Sequence, residues 1–139
     1  MKPIMQTDQQ ILSSNQQFYD AFNKQDLVMM KNVWQDDAGA RCIHPGWPVL
    51  KGYLEIIHSW EDIFNHNQHM EIKVSDEDVM IQDDFAWVSC QENLFSIKMT
   101  GVQSSKVHAT NLFQKVGGEW KMILHHAATI PIVTPEETS

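Results

Sequence analysis

The sequence predicts an α+β domain in which three helices precede an antiparallel sheet. Apolar residues recur with the helical period of 3.6 in the first half of the chain and with the strand period of two in the second half. Gly117 and Gly118 separate two strand-like runs, and two glycines supply the positive φ angles of a tight hairpin. Since the chain has 139 residues, one domain is expected over 1–139, with a core at about 8–130 and a frayed tail at 131–139.

Each predicted helix has an apolar stripe that must be buried against the sheet. The first helix spans residues 8–24, and its stripe consists of Ile11, Asn15, Phe18 and Phe22. The second follows Asp26, a residue type that caps helices, and its shared face holds Leu27, Met30 and Trp34. The third spans residues 51–65, where only a helix brings six apolar side chains to one side: Tyr53, Ile56, Ile57, Trp60, Ile63 and Phe64.

The pattern in the second half of the chain predicts β-strands. Residues 85–98 have apolar side chains on both faces near their start, as expected for a central strand that is covered on both sides. The chain's own helices can cover only one of these faces. We therefore expect a homodimer that covers the other.

The charge balance excludes several classes of partner. The chain has 18 acidic and 10 basic residues and a net charge of −8, which repels nucleic acid and anionic membranes.

The first residues lack the apolar segment of a signal peptide, and no apolar run approaches the roughly 18 residues of a membrane span. A cytoplasmic location is therefore expected. Cys42 and Cys90 are predicted to be reduced and buried.

A proline-stiffened loop before the third helix holds the first candidate site residues. His44 and Trp47 lie between a short strand and that helix, and Pro45 and Pro48 restrict the backbone beside them. A rigid loop of this kind suits the rim of a pocket. The alternative is that Trp47 closes the end of the core.

The last strand contains two adjacent histidines that must point to opposite faces of the sheet. Counting in twos from Trp120 assigns His126 to the interior and His125 to the other face. His44 and His126 are then expected to approach one another across the pocket mouth. An inward histidine is more often a hydrogen-bonded core residue than a catalyst, so a structural role stays open.

Polar residues in the middle of two strands are the third signal. Glu92 and Asn93 interrupt one strand, and Thr110 and Asn111 interrupt its expected neighbour. One member of each pair must face inward, and a buried polar group needs a partner. Edge exposure or a polar dimer interface is the alternative.

The sequence lacks the motifs of cofactor-dependent and nucleophilic enzymes. It contains no phosphate loop, dinucleotide fingerprint, Gly-x-Ser-x-Gly or cysteine nucleophile pattern. A metal site would need three or four converging ligands, and none is expected here. No cofactor is expected, which leaves acid–base chemistry or binding alone.

Three segments, FYDAFNKQD, VWQDDAGARCIHPGWPVLKG and GGEWKMILHHAA, resemble SnoaL-like domain proteins of the nuclear transport factor 2-like superfamily. The resemblance covers residues 8 to 130. The superfamily includes ketosteroid isomerase, scytalone dehydratase, SnoaL polyketide cyclases and the association domain of calcium/calmodulin-dependent protein kinase II. The resemblance implies a cystatin-like α+β roll, in which a cone-shaped curved sheet and the helices enclose a pocket, with dimers formed through the outer sheet face. It assigns no catalyst. Tyr19 lies on the first helix, where a pocket tyrosine could lie, and the spacing does not decide whether its hydroxyl points inward.

The expected function is binding of a small, largely apolar or aromatic molecule in that pocket. Proton transfer of the isomerase, dehydratase or cyclase type would be the chemistry, because burial brings a carboxyl pKa toward neutrality and histidine can act as base or donor. The alternative is a non-catalytic oligomerisation or ligand-sensing module. The catalytic candidates are His44, Glu92 and His126. The expected ligand contacts are His44, Trp47, Trp60, Glu92, Asn111 and His126.

Overall fold

A computed structural model describes residues 3–66 and 70–131. Three helices precede the long strands, as predicted: α1 (Pro3–Lys24), α2 (Leu27–Val33) and α3 (Tyr53–His66). The side chain of Asp26 accepts a hydrogen bond from the backbone N–H of Met29 at 3.0 Å, which confirms the predicted cap of α2. Residues 132–139 of the tail lie outside the described residues, so its fraying stays a prediction.

Six strands form one curved, mixed sheet with the order β2-β1-β6-β5-β4-β3. All neighbouring strands are antiparallel except β1 and β6, which are parallel. The β5–β6 hairpin turns at Gly117 and Gly118, with φ angles of 57° and 82°, as the sequence indicated. The strands are β1 (Arg41–Ile43), β2 (Leu50–Lys51), β3 (Met70–Gln82), β4 (Phe85–Lys98), β5 (Gly101–Val116) and β6 (Glu119–Thr129).

The helices bury their stripes against the inner face of this sheet. Ile11, Asn15, Phe18 and Phe22 of α1 are all buried, as predicted. Cys42 and Cys90 are buried free thiols, which agrees with the expectation of reduced core cysteines. Within the described ranges, no helix is long and apolar enough to span a membrane.

A bulge in β6 overturns one prediction about the interior. Leu112 of β5 lies opposite Leu124, whereas the next residue, Phe113, lies opposite Met122, so Ile123 is an extra residue in β6. The extra residue shifts the alternation of side chains by one position. Trp120 and Met122 are buried before it, and the buried residues after it are His125 and Ala127. The assignment of His126 to the interior is therefore wrong, and its side chain is exposed.

The outer face of the sheet has a continuous row of large apolar side chains. Met80 pairs with Trp87, Trp87 with Leu112, and Leu112 with Leu124. Met80 is exposed and the other three are half-buried. The chain's own helices pack on the opposite face, as the apolar pattern of the central strand predicted.

Candidate functional site

A cavity of about 270 Å³ lies between α1, α3 and the inner face of the sheet. Three polar side chains reach it from different strands and loops: His44, Glu92 and His125. Its volume is slightly below the range of roughly 300–1,000 Å³ that holds drug-sized ligands, so it suits a small compound. Most of the remaining wall is apolar, and includes Phe18, Phe22, Trp60, Ile63, Ile72 and Leu94.

The structure gathers most of the sequence candidates around this cavity. His44, Trp47, Trp60 and Glu92 line it. Asn111 is buried behind the wall. His126 is exposed, and the ring of His125 instead approaches that of His44, with centroids 6.4 Å apart.

A larger concavity of about 710 Å³ lies elsewhere, between α1 and the β5–β6 turn. Its wall consists mainly of surface amides and hydroxyls such as Gln9, Ser13 and Gln17. The ionisable side chains that line it, Glu119 and Lys121, form an ion pair with each other at 3.3 Å. The smaller cavity is therefore the better candidate for a functional site.

Glu92 is the acidic group of the cavity. It lies mid-strand in β4 on the same face as the buried Val88 and Cys90, which is why it points inward. The hydroxyl of Tyr19 donates a hydrogen bond of 2.7 Å to Glu92 Oε2. Burial raises the pKa of Glu92 to about 7, although the hydrogen bond from Tyr19 acts in the opposite direction. A carboxyl with this pKa can both take up and release a proton near neutral pH.

Asn111 connects α1 to the last strand. Its Nδ2 donates to Asn15 Oδ1 at 2.8 Å and to the Tyr19 hydroxyl at 3.0 Å. Asn15 Nδ2 in turn donates to Glu77 Oε2 at 3.0 Å, so Asn15 Oδ1 is free to accept. These bonds orient the amide of Asn111 with its oxygen toward His125.

The proton of neutral His125 therefore lies on Nδ1. Nδ1–H donates to Asn111 Oδ1 at 2.6 Å, which leaves Nε2 as a hydrogen-bond acceptor. This nitrogen lies 4.0 Å from Glu92 Oε2. Burial lowers the pKa of His125 to about 3, with smaller contributions from His44 and His126, so the ring is neutral at physiological pH.

His44 is held in the opposite tautomer. The hydroxyl of Ser59 donates to the carbonyl of Ile56 at 2.6 Å, so its oxygen must accept from Nε2–H of His44, 3.0 Å away. Nδ1 of His44 then carries the lone pair. Burial lowers the pKa of His44 to about 4, and the ring packs edge-on against Trp47 and Trp60, with centroids 4.7 and 4.6 Å away.

The described residues do not provide a set of metal ligands in the pocket. No group of three or more His, Cys, Asp or Glu side chains suited to a metal occurs within residues 3–66 and 70–131. The indole N–H of Trp60 is buried without a hydrogen-bond partner among the described residues. Among the described residues, the polar groups of the cavity wall are thus one carboxyl, two imidazoles and the indoles of Trp47 and Trp60.

Sequence reasoning missed three of the groups that organise the site. His125 was assigned outward because the bulge is not visible in the sequence. Ser59 looks like an ordinary helix residue, and only its contact with His44 reveals its role. Asn15 offered a usable signal, because an amide within an apolar helix stripe must find a buried partner.

Comparison with known proteins places the chain in a family. The chain is 29% identical over 131 residues to the F-box protein SKIP8 of Arabidopsis thaliana, covering 94% of this chain and 54% of that protein, so it spans about half the length of this curated relative.

Two solved bacterial structures are similar across most of both chains. A candidate dehydratase of the nuclear transport factor 2-like family from Streptomyces avermitilis is 29% identical, with a TM-score of 0.82 and coverage of 89% of this chain and 97% of that chain. A candidate calcium/calmodulin-dependent protein kinase type II association domain from Thiobacillus denitrificans is 28% identical, with a TM-score of 0.77 and coverage of 85% and 93%. The model of the SnoaL-like domain matches residues 11–132, and the chain belongs to this family.

Proposed function

We propose that the protein binds a small, largely apolar ring compound in the 270 Å³ cavity and transfers a proton on it, with Glu92 as the general acid and base. The observation that carries this proposal is the position of Glu92, a buried carboxyl with a pKa of about 7 on the wall of an apolar pocket. An acid–base catalyst works best when its pKa is near the working pH. Among the described residues that line this cavity, Glu92 is the one with a carboxyl group.

Elimination of water is the reaction that these groups serve most directly. The carboxylate of Glu92 takes a proton from the carbon beside a ketone, and the electron pair of that C–H bond forms a carbon–carbon double bond. The hydroxyl on the next carbon leaves as water after it receives the proton from Glu92. One carboxyl thus acts first as base and then as acid, while Tyr19 holds it in position. The likeness to the candidate dehydratase of Streptomyces avermitilis supports elimination. Isomerisation and cyclisation are the alternatives that depend on the same kind of proton transfer.

A simple β-hydroxy ketone tests the proposal. Incubation with 3-hydroxycyclohexanone is expected to yield cyclohexenone, which is followed by the ultraviolet absorbance of the conjugated enone. Since Glu92 must be ionised to accept the proton, kcat/KM should rise with pH and level off above about 7. Glu92→Gln should lower kcat/KM by roughly 10²–10⁴-fold, the usual contribution of general acid–base catalysis.

Glu71→Gln is the matched control, because Glu71 is an exposed carboxylate on the neighbouring strand β3. It should leave both the rate and the pH profile unchanged. The proposal is wrong if the wild type forms no enone and incorporates no deuterium from D₂O beside the ketone. It is also wrong if Glu92→Gln is as active as the wild type.

We also propose that the protein is a homodimer joined through the outer sheet face. The row formed by Met80, Trp87, Leu112 and Leu124 supports this proposal, because a contiguous apolar strip on a sheet is unfavourable in water. The likeness to a candidate kinase association domain is consistent with self-association. An oligomerisation module remains the second candidate function, and it requires this surface rather than Glu92.

Sedimentation equilibrium measures the state directly. At micromolar concentration we expect twice the 16.1 kDa mass of the chain, and Leu112→Lys should reduce it to the monomer mass. Val28→Lys is the control, since Val28 is an exposed apolar residue on α2 rather than on the sheet. A wild-type protein that sediments only as a 16.1 kDa species would exclude the dimer.

A further inference from the structure

We infer that the cavity selects a neutral ring compound with hydroxyl groups, which it binds through the imidazole nitrogens of His44 and His125 that carry a lone pair. This inference names the substrate class of the site and rests on the proposed function. It comes from the two histidine tautomers, each of which is set by a neighbour outside the cavity wall. Asn111 accepts the hydrogen bond from Nδ1–H of His125, and Ser59 accepts the hydrogen bond from Nε2–H of His44.

Both imidazoles line the cavity and can therefore accept a hydrogen bond from a ligand. Among the described residues, the hydrogen-bond partner of His44 Nδ1 is the Cys42 sulfur, 3.9 Å away, and a thiol is a weak donor. Nε2 of His125 is 4.0 Å from Glu92 Oε2, too long for a direct hydrogen bond. A hydroxyl group on the ligand can donate to each nitrogen, whereas an ether or a ketone oxygen cannot. The ring separation of 6.4 Å favours two hydroxyls on one small ring over a single hydroxyl.

The same wall disfavours anions. Among the described residues that line the cavity, none is Lys or Arg, and both histidines are neutral. The carboxyl of Glu92 adds negative charge when it ionises. A carboxylate or phosphate would lose its hydration without gaining a cation, which is costly in an apolar site. The flat rings of Trp47 and Trp60 are suited to pack against an uncharged ring instead.

Three single-ring probes of similar size separate these features. Resorcinol carries two hydroxyl donors, 1,3-dimethoxybenzene keeps the oxygens but no donor, and 3-hydroxybenzoate adds a negative charge. Binding is measured by NMR titration, and the shifts of the Trp47 and Trp60 indole signals locate the probe in the cavity. Resorcinol should bind at least about tenfold more tightly than either analogue, because each lost neutral hydrogen bond weakens binding by roughly three- to tenfold.

Ser59→Ala tests the positioning role of Ser59. Alanine is favourable in α3, so the helix should persist, but His44 loses the acceptor that holds its Nε2 proton. The ¹⁵N shifts of His44 should then show a mixture of tautomers, and the preference for resorcinol should fall about threefold or more. Ser59→Thr keeps the hydroxyl and should restore both readouts.

The inference is overturned if 1,3-dimethoxybenzene or 3-hydroxybenzoate binds as tightly as resorcinol. It is also overturned if resorcinol does not bind, binds elsewhere, or if ¹⁵N shifts place the proton of His125 on Nε2. Failure of the enone assay with the preference for resorcinol intact would instead reject the proton transfer alone. Enone formation without discrimination among the probes would reject the ligand class and leave the reaction standing.

Discussion

Replacing Trp60 with alanine should lower the free energy of unfolding by about 3–5 kcal/mol, the usual cost of removing a buried aromatic side chain. Trp60 is 3% exposed at the centre of α3. Its ring lies edge-on to Phe18 and Phe22, with centroids 5.5 and 6.0 Å away. Loss of the indole would join its volume to the existing cavity, and the surrounding rings cannot all move to fill the space. Chemical denaturation followed by circular dichroism measures the change.

Trp47→Ala is the matched control for this prediction. Trp47 also lines the cavity, but its side chain is 43% exposed in the loop before β2. The same substitution should therefore cost about 1 kcal/mol or less there, since surface changes have small effects on stability. Equal denaturation midpoints for Trp60→Ala and the wild type would contradict the central packing role of α3.

Asn111→Ala should be comparably destabilising for a different reason. Asparagine at this position satisfies two buried groups, Nδ1–H of His125 and Oδ1 of Asn15, that have no other partner among the described residues. Each orphaned buried group costs about 1–3 kcal/mol, so we expect a loss of roughly 2–6 kcal/mol in the free energy of unfolding. Denaturation at pH 7 measures it, and the ¹⁵N shifts of His125 should show that its tautomer is no longer held.

Asn93→Ala provides the comparison, because Asn93 is also a mid-strand asparagine but points away from the cavity. Its Nδ2 donates to the carbonyl of Lys73 and to Ser75 Oγ, both at 2.9 Å and near the surface, where water can replace it. We expect a cost of about 1 kcal/mol or less. If the two alanine variants unfold at the same denaturant concentration, the buried amide network does not stabilise the fold as described.

Much of the fold was predictable because local spacing determines it. The stripe of α1, the cap at Asp26 and the Gly117–Gly118 turn each depend on residues close together in sequence, and all three are confirmed. The inward direction of Glu92 and Asn111 was one of two alternatives for each pair. The structure decides both, because each lies on the buried face of its strand.

The polar site was harder to predict because its geometry depends on contacts distant in sequence. Tyr19 and Glu92 are separated by 73 residues, and Asn111 and Asn15 by 96. No local pattern records which of these polar groups meet. The tautomer of each histidine also depends on whether its partner has already donated its own hydrogen elsewhere. Ser59 donates to the carbonyl of Ile56, so its oxygen must accept from His44. Such choices follow only from a complete set of hydrogen bonds.

The bulge at Ile123 also affects how residue roles can be transferred between relatives. The presence or absence of a bulge here decides which of two successive histidines is enclosed, even when the sequence around them stays almost the same. A homologue with the same number of residues between the tryptophan and the His-His pair, but a regular strand without the bulge, would enclose the second histidine and expose the first. After Met122, alignment columns therefore compare equivalent side chains only between proteins that share the bulge. The counterpart of His125 is identified by its pairing with the preceding strand and not by counting residues.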